Sequence, residues 1–112
     1  MSDLIRKHCK PCEGDTAPLT PDEAQQYLKE LNGEWRLSPA CDSLRREWKF
    51  KNFFHTMSFV NALAHIANAE DHHPDLEVGY GYCRVKYATH SISGLSENDF
   101  ICAAKLDAVP KT

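Results

Sequence analysis

Apolar residues in this chain follow two rhythms that alternate along its length, one helical and one of period two. Between Pro21 and Leu31, the residues Ala24, Tyr27, Leu28 and Leu31 stand at spacings of 3, 1 and 3, one stripe of a helix. Thr20-Pro21-Asp22-Glu23 opens that helix with a capping hydroxyl, a proline at the first helical position and a glutamate three residues after the cap. Asn32-Gly33 is expected to close it with a residue at positive φ. Trp35 and Leu37 then form one strand face, Pro39 to Ser43 is turn material, and Leu44, Trp48 and Phe50 with charges between them read as a second strand. From Asn52 the helical rhythm returns: Phe53, Met57, Val60, Ala64 and Ala67 recur at 4, 3, 4 and 3, flanked by Phe54, Leu63 and Ile66. This long helix runs to about Glu70, and Pro74 prevents its continuation. Period two holds from Asp75 to His90, and Ser96-x-x-Asp99 opens a last helix carrying Phe100, Ile101, Ala104 and Leu106.

The predicted order is α-β-β-α-β-β-α. Strands adjacent in sequence imply antiparallel hairpins, so the expected fold class is α+β: two layers, a four-stranded antiparallel sheet with helices on one face. Residues 1–19 hold no sustained period and contain Pro11, Gly14 and Pro18, which reads as an N-terminal arm before a single domain at 20–112.

The second hairpin permits a register to be proposed. With Gly81-Tyr82 as a two-residue type II′ loop, Val78 opposes Val85, Leu76 opposes Tyr87, and Glu77 opposes Lys86 on the other face. Continued outward, that register sets His73 against His90, and a slip by one residue would mix the faces.

Composition narrows the setting without choosing the chemistry. A chain of 112 residues is short for two domains, and 42% hydrophobic with 26% charged residues at net charge −3 suits a folded globule. No Lys/Arg run exceeds Arg45-Arg46, no apolar stretch approaches the roughly 18 residues that span a bilayer, and Met1 to Lys10 lacks a signal peptide's apolar core. These readings lead us to expect no nucleic-acid partner, no membrane association and a cytoplasmic location. Five cysteines is an odd number, so reduced thiols are expected, and Cys9 and Cys12 lack the second ligand pair of a structural zinc site.

Six histidines are the compositional excess. His8, His55 and His65 read as ordinary surface or core residues. His72 and His73 follow the C-terminus of the long helix, where exposed carbonyls favour an imidazolium and Asp71 adds to that bias. With His90 they suit general acid-base chemistry near neutral pH, and metal coordination is the competing reading. Asp99 is either the capping residue partnered with Ser96 or an orienting carboxylate for His90, and Trp35 reads from its position as core.

The run Glu70-Asp71-His72-His73-Pro74, then Thr89-His90 and Gly94-Leu95-Ser96-x-x-Asp99, resembles the pterin-4a-carbinolamine dehydratases, also called 4a-hydroxytetrahydrobiopterin dehydratases. The likeness runs from about Trp35 to Val109, and His8-Cys9-x-x-Cys12 looks like bacterial members. The resemblance implies loss of water from a 4a-hydroxytetrahydropterin to give quinonoid dihydropterin, in recycling for aromatic amino-acid hydroxylation. It further implies no metal or cofactor, homodimers or homotetramers, and a functional link to phenylalanine hydroxylase. It assigns His72, His73 and His90 as catalytic, and Asp71, Thr89, Ser91 and Trp35 to the pterin pocket, with Asp99 and Asn68 in support. Asn68 departs from the acidic residue common in the family four positions before the first histidine. Vertebrate members also serve as dimerisation cofactors, so a protein-interaction role, or a pterin-linked homologue of altered activity, is the alternative.

Overall fold

The computed structural model describes residues 3–11 and 16–110; Cys12 lies outside them. Among these residues the elements are α1 (Pro21–Leu28), β1 (Arg36–Leu37), β2 (Leu44–Lys49), α2 (Phe53–Glu70), β3 (Asp75–Gly79), β4 (Tyr82–Tyr87) and α3 (Glu97–Asp107), with 3₁₀ turns at Leu4–Arg6 and His90–Ile92. The sheet is antiparallel throughout in the order β1-β2-β4-β3. Both the α+β class and the element order expected from the sequence are observed.

Local chemistry accounts for the element ends. Thr20 Oγ1 accepts from the Glu23 amide at 3.2 Å while Glu23 accepts from the Thr20 amide at 2.9 Å, a complete capping box on α1. The helix stops at Leu28, three residues short of expectation, and no glycine takes a positive φ among the described residues. Instead the Glu30 and Leu31 amides reach back three residues to Tyr27 and Leu28, tightening the last turn, and Asp107 takes the Asn32 amide.

Along β2, buried Leu44 and Trp48 alternate with exposed Arg45, Glu47 and Lys49, so one face meets the helices and the other is charged. The core lies between that inner face and α2 and α3. There Trp35 meets Trp48 edge-on at 5.6 Å, and Phe59 sits 4.6 Å from Trp48.

The inward stripe of α2 is Thr56, Phe59, Leu63 and Ala67, not the predicted Phe53, Met57, Val60, Ala64 and Ala67. Apolar residues surround this helix, so periodicity alone did not select the face; Phe53 and Phe54 remain exposed. Thr56 faces inward because its hydroxyl donates to the Tyr80 carbonyl at 2.8 Å, which pins the β3–β4 turn.

That turn is Tyr80-Gly81, two residues in the chain but displaced by one from the expected loop. The register pairs Leu76 with Val85, Glu77 with Arg84 and Val78 with Cys83. The expected pairing of Glu77 with Lys86 is therefore corrected: Lys86 opposes Asp75, and His73 does not oppose His90. The side-chain faces survive, because the partners moved by two positions. Phe50 donates its amide to the Gly81 carbonyl at 2.8 Å, and with the Thr56 contact this fixes a turn that needs no positive φ.

The N-terminal segment is docked on the domain. Leu4 is buried in the core, Lys105 donates to the Ile5 carbonyl, and Lys10 and Asn98 exchange two hydrogen bonds of 3.0 and 2.6 Å. Glu70 accepts from the Cys9 amide at 2.7 Å and pairs with His8 at 2.9 Å; although burial opposes it, these contacts and Lys105 hold its carboxyl below the usual range.

Candidate active site

Three chain segments meet where α2 ends. The last carbonyls of α2 are closed by Asp71 in the left-handed conformation at φ 50°, with the His72 amide reaching the Ala67 carbonyl and the Asp71 amide that of Asn68. This reversal brings the His72 ring back against the start of α3. There Nε2 lies 2.6 Å from Asp99 Oδ1. The ring stacks on Tyr87 of β4, nearly parallel at 5° with 5.8 Å between centroids.

Asp99 has no exposed surface and every oxygen is used. Oδ1 meets His72, while Oδ2 accepts from the Ser96 amide at 2.9 Å and the Thr89 hydroxyl at 2.8 Å. Thr89 and Ser96 hydroxyls are themselves 2.8 Å apart. The carboxylate is thus both the helix cap and an orienting group, and it orients His72, not His90. Burial by itself would strip the proton from His72, but the hydrogen bond and charge of Asp99, helped by Cys102 and Asp71, raise its pKa overall. The imidazolium therefore persists to higher pH than in an ordinary histidine.

His72, His73, Ala88, Thr89, His90, Ser91 and Asn98 line a depression of about 210 Å³. The three histidines singled out in the sequence therefore share one pocket, although by a different route. His90 reaches it from the 3₁₀ turn after β4, and His73 from the link before β3. His73 Nε2 lies 3.1 Å from Asn68 Oδ1, so Asn68 supports His73 through an amide oxygen that carries no charge.

Ser91 lines the pocket, whereas Thr89 contributes wall while its hydroxyl is committed inward to Asp99 and Ser96. Asp71 lies outside that lining. Trp35 is not brought to the pocket either: it is 1% exposed, and its Nε1 donates to Asp107 at 2.7 Å. Its ring lies 6.4 Å from Tyr87, behind the residue on which His72 stacks.

Sequence reasoning missed Tyr87 and Asn98. Tyr87 belongs to the buried set of β4 with Cys83 and Val85, so alternation marks it as inward, but nothing local marks it as the floor under His72. Asn98 immediately precedes Asp99, and that adjacency was the available signal. No cluster of three or more His, Cys, Asp or Glu suited to a metal occurs among the described residues.

A larger depression of about 780 Å³ occupies the outer sheet face and contains no histidine. Its rows of Arg45, Lys86 and Asp75, and of Glu47, Arg84 and Glu77, are of mixed charge.

A family model described as pterin 4 alpha carbinolamine dehydratase matches residues 17–109. A protein of Nitrosomonas europaea bearing the name "Putative pterin-4-alpha-carbinolamine dehydratase" is 54% identical over 112 residues, covering 100% of this chain and 97% of the relative. A protein of the same name from Legionella pneumophila (strain Corby) is 54% identical over 106 residues, 95% of this chain and 94% of its own length. The crystal structure of a transcriptional coactivator/pterin dehydratase from Brucella melitensis superposes with a TM-score of 0.76 at 33% identity, covering 81% of this chain and 96% of that one. A pterin dehydratase-like RuBisCO assembly factor of the alpha-carboxysome shares the fold, with a TM-score of 0.60 at 24% identity over 69% of this chain and 89% of its own. By the match over most of its length and by these relatives, the chain belongs to the pterin-4-alpha-carbinolamine dehydratase family.

Proposed function

We propose that the protein dehydrates a 4a-hydroxytetrahydropterin to quinonoid dihydropterin by histidine acid-base catalysis. The observation that carries this reading is the convergence of His72, His73 and His90 on one pocket, with His72 held by a fully buried carboxylate. A pocket near 210 Å³ falls below the roughly 300–1,000 Å³ of sites for drug-sized ligands, which suits a flat bicyclic head group.

The reaction needs one proton delivered and one removed. The hydroxyl on C4a is protonated and leaves as water, the N5 proton passes to a base, and the electrons of the N5–H bond form C4a=N5. His72, charged through Asp99, and His73 are the acids for the leaving oxygen on one face or the other, and His90 is the base or positions the ring. Because His72 Nε2 is engaged by Asp99, the ring meets substrate through its other edge. Ser91 and the Thr89 wall hold the pterin, while Asp71 acts from outside the pocket on the charge of His72.

Family membership supports the substrate class, and a place beside phenylalanine hydroxylase in pterin recycling follows from where such substrates arise. No described helix is long and apolar enough to cross a membrane, and a cytoplasmic setting is part of the proposal. The test is dehydration of synthetic 4a-hydroxytetrahydropterin: His73→Ala and His90→Ala, shown to be folded, are expected to lose about 10²-fold in rate. Wild-type rates in both variants overturn the assignment.

A homodimer or homotetramer is proposed as the working form. The supporting feature is uncovered apolar surface on α2 and on edge strand β3, where Phe53, Phe54, Leu76 and Val78 are 53%, 73%, 38% and 40% exposed. The same surface is the one that a protein-interaction role would use.

A further inference from the structure

The docked N-terminal segment brings a thiol to the back of the candidate site. Cys9 Sγ stands 3.5 Å from Cys102 Sγ, while the Cys9 amide is held by Glu70 and the next residue by Asn98. Cys102 follows Asp99 by three residues on α3, hence on the same side of the helix, and it has no exposed surface. The buried Tyr87 hydroxyl finds no oxygen or nitrogen partner, and its sulfur neighbour is Cys102. A continuous path therefore runs from Cys9 through Cys102 and Tyr87 to the stacked ring of His72. The proposed dehydration uses neither sulfur.

We propose that Cys9 and Cys102 form a redox modification site, in which oxidation joins them by a disulfide that ties the N-terminal segment to α3 behind the His72–Asp99 pair. The sulfurs must close from 3.5 Å to the roughly 2.05 Å of a disulfide bond, a movement open to a segment held by side-chain contacts and not by a strand ladder. Cys9 is partly exposed, so an oxidant meets it first, and Cys102 is the resolving thiol. The Cys9 S–H and then the His72 imidazolium favour the Cys102 thiolate against its burial, which supplies a nucleophile in the right place.

The oxidant class is a small disulfide. The Cys9 thiol, whose pKa the hydrogen bond to Cys102 and burial hold up, gives its proton to the Cys102 sulfur as it attacks the reagent and expels one thiolate. Cys102, deprotonated in turn, attacks the Cys9 sulfur of the mixed disulfide and expels the second. Two protein thiols lose two electrons and two protons, and one small disulfide is reduced to two thiols.

Closure also takes from beside His72 a thiol whose ionised form would favour the imidazolium. The groups around that ring are Asp99 and Cys102 from α3, Asp71 from the end of α2 and Tyr87 from β4. Without that ionisable sulfur, the ring releases its proton at lower pH. This consequence for turnover rests on the dehydratase reading; the disulfide does not.

The experiment treats the full chain, and its Cys12→Ser variant, with oxidised glutathione and maps the peptides by mass spectrometry. The expected product lacks two hydrogens, carries no glutathione and yields a linked Cys9–Cys102 peptide. A stable glutathione adduct on Cys9 beside a free Cys102 overturns the proposal, as does a Cys9–Cys12 link in the unmodified chain or a product joined through Cys41 or Cys83. Cys9→Ser, checked for fold by circular dichroism, is expected to leave Cys102 unreacted; modification of Cys102 there shows it to be reachable alone and contradicts the assigned order. Imidazole NMR of the oxidised protein is expected to show His72 titrating at lower pH with severalfold slower dehydration at neutral pH, and an unchanged His72 curve overturns the coupling to the site.

Discussion

Replacing Asp99 by Asn probes the centre of the site with almost no change in shape. The wild-type carboxylate accepts three hydrogen bonds, at 2.6 Å from His72, 2.8 Å from Thr89 and 2.9 Å from the Ser96 amide. An amide retains one oxygen. If that oxygen keeps Thr89 and Ser96, its NH₂ group faces His72 Nε2, and the ring must present a lone pair there and lose its charge. The lost interaction is a buried charge-assisted hydrogen bond, worth about 1.5–3 kcal/mol. In the variant the two contributions of Asp99 are lost, only Cys102 and Asp71 still oppose burial, and the His72 pKa falls below its wild-type value.

The sign of the pH dependence follows. A histidine whose folded pKa is raised contributes stability that is complete below the unfolded pKa near 6.5 and is lost as pH climbs through the folded value. Urea unfolding is therefore expected to separate wild type and Asp99→Asn most widely below pH 6 and to bring them closer as pH rises beyond the His72 titration. Dehydration at pH 7 should fall by about 10²-fold, the lower range for removal of a general acid. A variant with the wild-type His72 titration by NMR, or a rate within twofold, refutes the reasoning.

Asn68→Asp sets a carboxylate where Asn68 Oδ1 lies 3.1 Å from His73, so the ring keeps a proton longer and the alkaline limb of the pH–rate profile should move upward; an unmoved limb means that His73 does not set it. Sedimentation equilibrium is expected to give a dimer or tetramer that Phe54→Glu weakens, since Phe54 is 73% exposed on α2, and a monomeric wild type ends the oligomer proposal.

How much of this was legible in the sequence differs element by element. The capping boxes at Thr20 and Ser96 fixed the starts of α1 and α3, because their donors and acceptors lie within four residues. The β3–β4 register was not legible, and the cause can be read from the charges. Glu77 meets a base in either of two registers that differ by two residues, Arg84 in one and Lys86 in the other, so that pair alone does not decide, and only the observed register adds Asp75 opposite Lys86. The choice came from Phe50 and Thr56, distant in sequence, which bind the turn carbonyls. His72, His73 and His90 were recognisable as a group, yet the partner of Asp99 was misassigned, since the left-handed turn at Asp71 decides which imidazole swings back to α3. The docking of residues 3–11 rests on single side chains such as Leu4 and Glu70, which carry no periodic signature.

Asp99 serves the first turn of α3 and the His72 ring with the same carboxylate. Local opening of that turn must also release the imidazole, so there is no partly frayed α3 with a working acid. The proton donor is thereby placed in the cooperative unit of the buried helix instead of a loop, and the Ser96 and Asp99 amides should exchange with solvent only as slowly as the core unfolds.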